Sequence, residues 1–226
     1  VSTDASACAS GLKVLMDMQN LFWYYGFDRV IVLAGEDSVC VPSLEFFGDA
    51  KANIQLSEEP DRKPSAFDAV NTGFHVGQGA ALAVFEREHP NMAKPMARFL
   101  GAYTSAENNT NPLGQRPDGE GYSKAIDGAL EVAKLNKKEI KLVKTHGTGT
   151  DANNKAEKAA LLRSLDEFVA TSYKPRIGHT LSASGLLETG LLLNDLERGI
   201  VPRILNRTGT DDVFLSYDAP APQGPF

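Results

Sequence analysis

Ile140-Lys141-Leu142-Val143-Lys144-Thr145-His146-Gly147-Thr148-Gly149-Thr150 is the stretch on which the fold turns. Its first six residues predict a strand over 140–145, and a helical pattern follows over 155–169. A strand that hands over to a helix through a Gly-rich loop is a βα unit, and ligands collect at the C-terminal ends of such strands. His146 stands at that end with two glycines close behind, so it projects from rigid scaffold into space the backbone leaves open. Thr148 and Thr150 alternate with those glycines and offer hydroxyls to a polar ligand. A turn in which the glycines merely satisfy geometry is the bland alternative. The pentapeptide as a whole favours the functional reading.

Outward from this unit, helices and strands keep alternating. A helix is expected over 7–25, apolar over most of its circumference through Leu12, Leu15, Met16, Met18, Leu21, Phe22 and Trp23, and so a buried one. Residues 29–35 (RVIVLAG) read as a buried parallel strand, 42–52 as a helix and 57–65 as a polar loop. Residues 77–86 read as a strand whose glycines admit another backbone closely. A further strand is expected over 95–105, loop over 106–120 and a helix over 122–135. Beyond the opening unit, 173–179 is expected to be irregular, 181–196 helical and 213–217 a strand. The pattern is that of an α/β protein with a mostly parallel sheet. A faint internal echo runs through it: a small-residue turn leads into an apolar helix at 2–15 and again at 174–192.

Both echoes carry chemistry-bearing residues. In Ser6-Ala7-Cys8-Ala9-Ser10-Gly11, Cys8 precedes a long helix and has only small neighbours. A helix N-terminus favours a thiolate, and small neighbours leave room for a substrate. An isolated cysteine is more often structural, as Cys40 between Val39 and Val41 is expected to be. In Lys174-Pro175-Arg176-Ile177-Gly178-His179, a lysine and a histidine precede the second helix. The helix dipole and the lysine both bias His179 toward neutral imidazole, a form suited to stabilising negative charge.

Composition narrows the classes. At 226 residues, with 42% hydrophobic and 23% charged, the chain has ordinary globular composition and can bury one substantial core. The net charge of -6 argues against nucleic-acid binding, which needs a basic surface. Two cysteines imply no disulfide framework and suit a reducing, cytoplasmic setting. No apolar run is long enough to span a bilayer, and no secretory leader pattern opens the sequence. The triplets Asn108-Asn109-Thr110 and Asn206-Arg207-Thr208 match a glycosylation pattern that is common by chance.

Taken in order, the Cys8 segment, His146-Gly147-Thr148-Gly149-Thr150, and Lys174-x-x-x-Gly178-His179 running into a Gly/Ala-rich helix resemble the β-ketoacyl-[acyl-carrier-protein] synthase family of Cys-His-His type. The segments 67–74 and 77–80 resemble the family's region between nucleophile and first histidine, and the resemblance covers 1–226 as one ketosynthase region. It implies a thiolase-like layered α-β-α-β-α fold. It also implies roles: Cys8 takes an acyl chain as a thioester, with its own N–H in an oxyanion hole. His146 and His179 polarise the malonyl thioester carbonyl and stabilise the enolate left by decarboxylation. Lys174 organises the site electrostatically, Glu157 holds Lys174 in place, and Thr148 and Thr150 bind the phosphopantetheine arm. No cofactor of its own is implied, because that arm arrives on an acyl carrier protein. No metal is implied either, since His75 and His89 lack ligand spacing.

Departures from the family pattern are Asn71-Thr72, where Arg-Asp is usual, and Gln78, where an acidic residue is common. The sequence opens just before Cys8, whereas the family has a strand-helix portion ahead of its nucleophile. It also lacks the family's C-terminal Gly-Phe-Gly-Gly strands. The expectation is therefore a partial chain that needs a complementary segment of the same fold, with exposed sheet edges when alone. A homodimer or a ketosynthase heterodimer is expected for the assembled unit, acting in fatty-acid or polyketide/polyene synthesis. A degradative thiolase would need a second catalytic cysteine with its motif, and a priming synthase would carry Asn in place of His179. A non-catalytic chain-length-factor-like subunit is the remaining alternative, and such subunits typically lose the nucleophile.

Overall fold

In the computed structural model the described residues are 2–54, 60–69, 73–107, 115–209 and 213–222. Asn71-Thr72, part of the polar loop at 57–65, the triplet Asn108-Asn109-Thr110 and the C-terminal Pro225-Phe226 lie outside them. Six α-helices of the described residues are α1 (Ser10–Trp23), α2 (Val41–Asp49), α3 (Glu120–Ala133), α4 (Asp151–Ser164), α5 (Lys174–Ile177) and α6 (Ser184–Glu197). The strands are β1 (Arg29–Glu36), β2 (Gly79–Glu86), β3 (Leu142–Lys144), β4 (Val169–Thr171), β5 (Ile200–Val201) and β6 (Ala219–Pro220).

Four layers stack. α3 and α4 cover one face of the parallel pair β3–β4, through Ile126, Leu130, Leu161, Leu165, Val143 and Ala170, with Phe67 stacked on Phe214 at a ring separation of 3.9 Å. The other face of that pair meets α6, where Leu142 and Val169 pack on Leu192, Leu193 and Leu196. α6 lies beside α1, and these two helices rest on β1–β2 through Met18, Leu186, Val30, Val32, Ala34, Ala81 and Ala83. Alternation along a strand puts every second residue on the far side. There Ile31 faces Val84 and Leu33 faces Leu82, at 64%, 53%, 69% and 62% exposure. An apolar sheet face this open is what burial ordinarily removes. Among the described residues nothing supplies the outer helical layer of the expected five.

Several expectations need correction. β1 is not a parallel strand: it forms an antiparallel ladder with β2 from Arg29↔Glu86 to Glu36↔Gly79. Both of its faces are apolar, one against α1 and one open, so its sequence mimics a strand buried on both sides. β5–β6 is also antiparallel, leaving β3–β4 as the one parallel pair among the named strands. Residues 95–105 form no named strand. Instead the buried Gln19 accepts the Ala102 N–H at 2.9 Å, doing the work of a strand partner. Of the strand expected at 213–217, an isolated bridge between Phe214 and Ala170 remains. Residues 174–177 are helical rather than irregular, with Pro175 in the first turn, where its missing N–H is tolerated. The helix expected over 155–169 begins at Asp151 and ends at Ser164, because Val169 starts β4. α1 is buried at Ser10, Gly11, Met18 and Gln19, while Leu12 and Trp23 are about half exposed, so it is not buried all round.

Candidate active site

The two echoed turns meet. Ala7–Ala9 and Leu181–Ala183 are both 3-10 turns, one opening α1 and the other opening α6. Each begins on a non-glycine residue with positive φ, 48° at Ala7 and 41° at Leu181. Such backbone is costly and clusters at functional turns. Ser10 braces the first turn by donating its Oγ to the Ala7 carbonyl at 2.7 Å and accepting the Ser6 N–H at 2.8 Å. The helices then touch backbone to backbone. A Cβ on Gly11 would sit 2.7 Å from the Ser182 carbonyl oxygen, and one on Gly185 would sit 2.7 Å from the Leu12 nitrogen. Glu36, at the end of β1, ties the second turn down by accepting the Ser182 hydroxyl at 2.6 Å and its N–H at 3.2 Å. Glu36 was not picked out from the sequence.

Two imidazoles lie against each other, and the charge of Lys174 acts on both of them and on Cys8. His146 follows β3 as expected, and Gly147 continues with φ of 50°. His179 is 2% exposed, and its backbone is held by the segment before β2: His179 N–H donates to the His75 carbonyl at 2.7 Å, and Gly77 N–H donates to the His179 carbonyl at 2.9 Å. Gly77 has to be glycine here, since a Cβ would sit 2.7 Å from the Ile177 carbonyl oxygen. The rings of His146 and His179 lie edge to face, 5.3 Å apart at 83°, and Phe74 backs His179 in the same way at 5.0 Å. His179 Nδ1 is 2.9 Å from Ser184 Oγ. A serine hydroxyl that donates to Nδ1 leaves the ring proton on Nε2.

Lys174 is where the resemblance placed it, but its partner is not. Glu157 accepts the N–H groups of His146 at 2.5 Å and Gly147 at 2.9 Å, and the Asn153 amide at 3.0 Å. It therefore shapes the His146 loop instead of pairing with Lys174. Tyr122 completes this group by donating its hydroxyl to Asn153 Oδ1 at 2.8 Å. Lys174 Nζ instead meets Glu188 Oε1 at 2.7 Å, with both side chains almost wholly buried. The other oxygen of Glu188 takes Lys144 Nζ at 2.9 Å. Glu188 is the one charge inside the otherwise uncharged run Leu186-Leu187-Glu188-Thr189-Gly190-Leu191, the signal that could have revealed it. Thr148 and Thr150 are adjacent in space, their hydroxyl oxygens 3.0 Å apart.

Electrostatics follow from burial. Burial, then the Lys174 and Lys144 charges, lower His179 to about 2. His146 is held well below its ordinary value by burial, then Lys174, His179 and Lys144. Both rings are thus neutral donors at physiological pH. At Cys8 burial, with the Glu36 charge, pushes the thiol up and outweighs the lowering by Lys174 and by its own N–H, against the thiolate bias expected of a helix N-terminus.

The same burial predicts acid sensitivity. Unfolding frees His179 to take up a proton anywhere between its folded value of about 2 and its ordinary 6.5. Stability from this group is therefore complete above the ordinary value and falls with pH below it, at a slope approaching about 1.4 kcal/mol per pH unit. His146 adds the same sign; Glu157, whose carboxyl burial pushes up, opposes them as one group against two. Urea midpoints should drop between about pH 7.5 and about pH 5.5. A midpoint that held constant or rose would contradict neutral buried imidazoles.

Residues 96–208, half of the chain, match the model of the β-ketoacyl synthase C-terminal domain, and the chain belongs to the β-ketoacyl synthase family. It is 29% identical over 218 residues to the tetracenomycin polyketide synthase ketoacyl synthase alpha subunit of Streptomyces glaucescens, covering 91% of this chain and 50% of that protein. A type II polyketide ketosynthase, solved in complex with its acyl-carrier protein and bound to the hexaketide, superposes with a TM-score of 0.85 at 25% identity, over 98% of this chain and 57% of that one. The ishigamide ketosynthase/chain length factor superposes with a TM-score of 0.83 at 25% identity, over 98% and 55%. The layers described above are those of the thiolase-like fold of these synthases. The chain spans about half the length of the relatives and structures it matches.

Proposed function

We propose that this chain carries the catalytic centre of a decarboxylative condensing enzyme acting on acyl-carrier-protein thioesters, in fatty-acid or polyketide synthesis. The observation that carries this reading is the pair of neutral-biased imidazoles, 5.3 Å apart, beside a buried lysine whose charge also acts on Cys8. The Cys8 thiol loses its proton and attacks the incoming acyl thioester, and the carrier thiol leaves with a proton. A malonyl thioester then loses carbon dioxide, and the electron pair of the broken C–C bond moves onto its carbonyl oxygen as an enolate. His146 and His179 donate N–H groups to that oxygen without needing to become charged. The carbanion attacks the Cys8 thioester, Cys8 leaves as thiolate, and a 3-ketoacyl product results. Thr148 and Thr150 line up hydroxyls for the phosphopantetheine arm.

Residues 1–226 act in this reading as one ketosynthase region, with further polypeptide of the same fold laid over Ile31, Leu33, Leu82 and Val84, the open face of β1–β2. The assembled unit pairs with a second synthase subunit, identical or chain-length-factor-like, and docks an acyl carrier protein.

Incubation of the assembled protein with an acyl-carrier thioester, followed by intact-mass and peptide analysis, tests the reading. An acyl adduct on Cys8 and carbon dioxide release from malonyl-carrier thioester are expected. Neither event in the full assembly would point to a non-catalytic chain-length-factor-like subunit instead.

A further inference from the structure

β3 carries a lysine where its own period asks for an apolar side chain. Val143 packs into the cluster of Leu161, Phe168 and Phe214 under α3 and α4. Leu142 and Lys144, two residues apart, share the opposite face, which packs on α6. There Leu142 meets Leu192, Leu193 and Leu196. One strand step beyond Leu142 comes Lys144, and one helical turn before Leu192 comes Glu188. The apolar seam thus ends in an ion pair, with the Lys144 side chain 11% exposed and that of Glu188 0% exposed.

The stoichiometry of that pair is the informative part. Lys174 already occupies Glu188 Oε1, so two ammonium groups share one carboxylate. A buried pair kept only for stability needs one lysine, and a second buried cation costs several kcal/mol in desolvation. The charged and titratable groups around Lys144 are Glu188 of α6, Lys174 of α5 and the two imidazoles; Glu157 of α4 acts on Lys174. Within the ion-paired cluster the count is two ammonium groups to one carboxylate, because the oxygens of Glu157 are taken up by the His146 and Gly147 N–H groups and the Asn153 amide. The surplus is felt at the site, because Lys144 as well as Lys174 holds His146 and His179 toward the neutral form.

We propose that Lys144 is a second cationic positioning residue: by taking one oxygen of Glu188 it leaves the ammonium of Lys174 under-neutralised, so that surplus positive charge faces the anion formed on the two histidines. The inference rests on the condensing function proposed above. It gives Lys144 a role through Glu188 and Lys174, with no contact to substrate required. The price of burying the extra charge is then repaid when the enolate forms.

The test uses Lys144→Met, which keeps length and removes charge, and Lys144→Arg, which keeps charge, each in the complete assembled protein. Decarboxylation of malonyl-carrier thioester is followed as kcat and KM, and the two imidazoles are titrated by NMR. Lys144→Met should lower kcat about tenfold with KM within about twofold, the loss expected for about 1.4 kcal/mol of anion stabilisation. It should also move imidazole protonation to higher pH. Lys144→Arg should restore both. If Lys144→Met fails to fold, Lys144→Gln, which keeps a donor to Glu188 without the charge, replaces it. Unchanged kcat and unchanged titration overturn the proposal. So does a Lys144→Arg variant as impaired as Lys144→Met with the imidazoles unmoved, since Lys144 would then only pack. If the unmutated protein releases no carbon dioxide, the condensing reading falls by itself. The imidazole titration then decides Lys144 alone: a shift supports it, and no shift overturns it.

Discussion

Changing Cys8 to Ala should remove acyl transfer to the chain and lower condensation by at least about 10⁴-fold, the scale on which loss of a covalent nucleophile is felt. Carbon dioxide release from malonyl-carrier thioester should survive. In the proposed reaction the two half-reactions would use different groups: the thiol would accept the acyl chain, while His146 and His179, both held toward the neutral form, would meet the enolate. The substitution removes one half-buried sulfur at a turn held by Ser10 and by the Gly11–Gly185 contact, so the fold should persist. Radiolabelled acyl transfer and carbon dioxide release, measured on the same preparation, check both halves. A Cys8→Ala protein that still condensed within about tenfold of the original would remove Cys8 from the mechanism.

The second large effect belongs to Glu188. Replacing it with Leu strands the ammonium groups of Lys174 and Lys144, whose side chains are 1% and 11% exposed, against an apolar neighbour. Breaking a buried pair from one side costs roughly 3–5 kcal/mol, and two cations left behind put this case at the upper end. Burial, with the Lys144 charge, already lowers Lys174 against the pull of Glu188, so part of the loss should be relieved by its deprotonation at high pH. Denaturant midpoints should therefore recover partly as pH rises. Glu188→Gln, which keeps an oxygen for one lysine, should cost less than Glu188→Leu. A Glu188→Leu protein within about 0.5 kcal/mol of the original would show that the lysines are not charged in the fold.

How far the sequence spoke depended on whether a residue's environment was local. α3 and α6 were legible within a few residues because apolar spacing and small-residue turns are short-range signals. His146, His179, Lys174 and Cys8 were legible because each sits at a turn with its own local signature. The direction of β1 was not, since direction depends on a partner 50 residues away and β1 is apolar on both faces. The Lys174 partner was misassigned for the same reason. Glu157 and Glu188 are both buried acids on helices, and only packing shows that one reaches backbone N–H groups and the other reaches lysine. Lys144 read simply as a strand residue, because its ion pair forms across layers. The echo of the two turns was visible as a pattern. Its meaning came with the contact of Gly11 on Gly185, which sets the thiol's helix against the helix that follows His179.

That contact makes the architecture a means of convergence. Turns with positive φ at Ala7 and Leu181 open the two helices that meet at Gly11 and Gly185, and His146, after β3, packs its ring against that of His179. Glu36 accepts the Ser182 N–H of the second turn and Glu157 accepts the N–H groups of His146 and Gly147, so both backbones are held in place, the preorganisation the proposed reaction calls for.

The sharpest measurement is a crystal structure of the assembled protein carrying an acyl group on Cys8 and a non-decarboxylating malonyl-thioester mimic. One mimic oxygen is expected within about 3.2 Å of Nε2 of both His146 and His179, with the acyl carbonyl carbon within about 3.5 Å of the mimic's nucleophilic carbon. A mimic bound with neither imidazole on its carbonyl, or an acyl group on any residue other than Cys8, would contradict the proposed reaction.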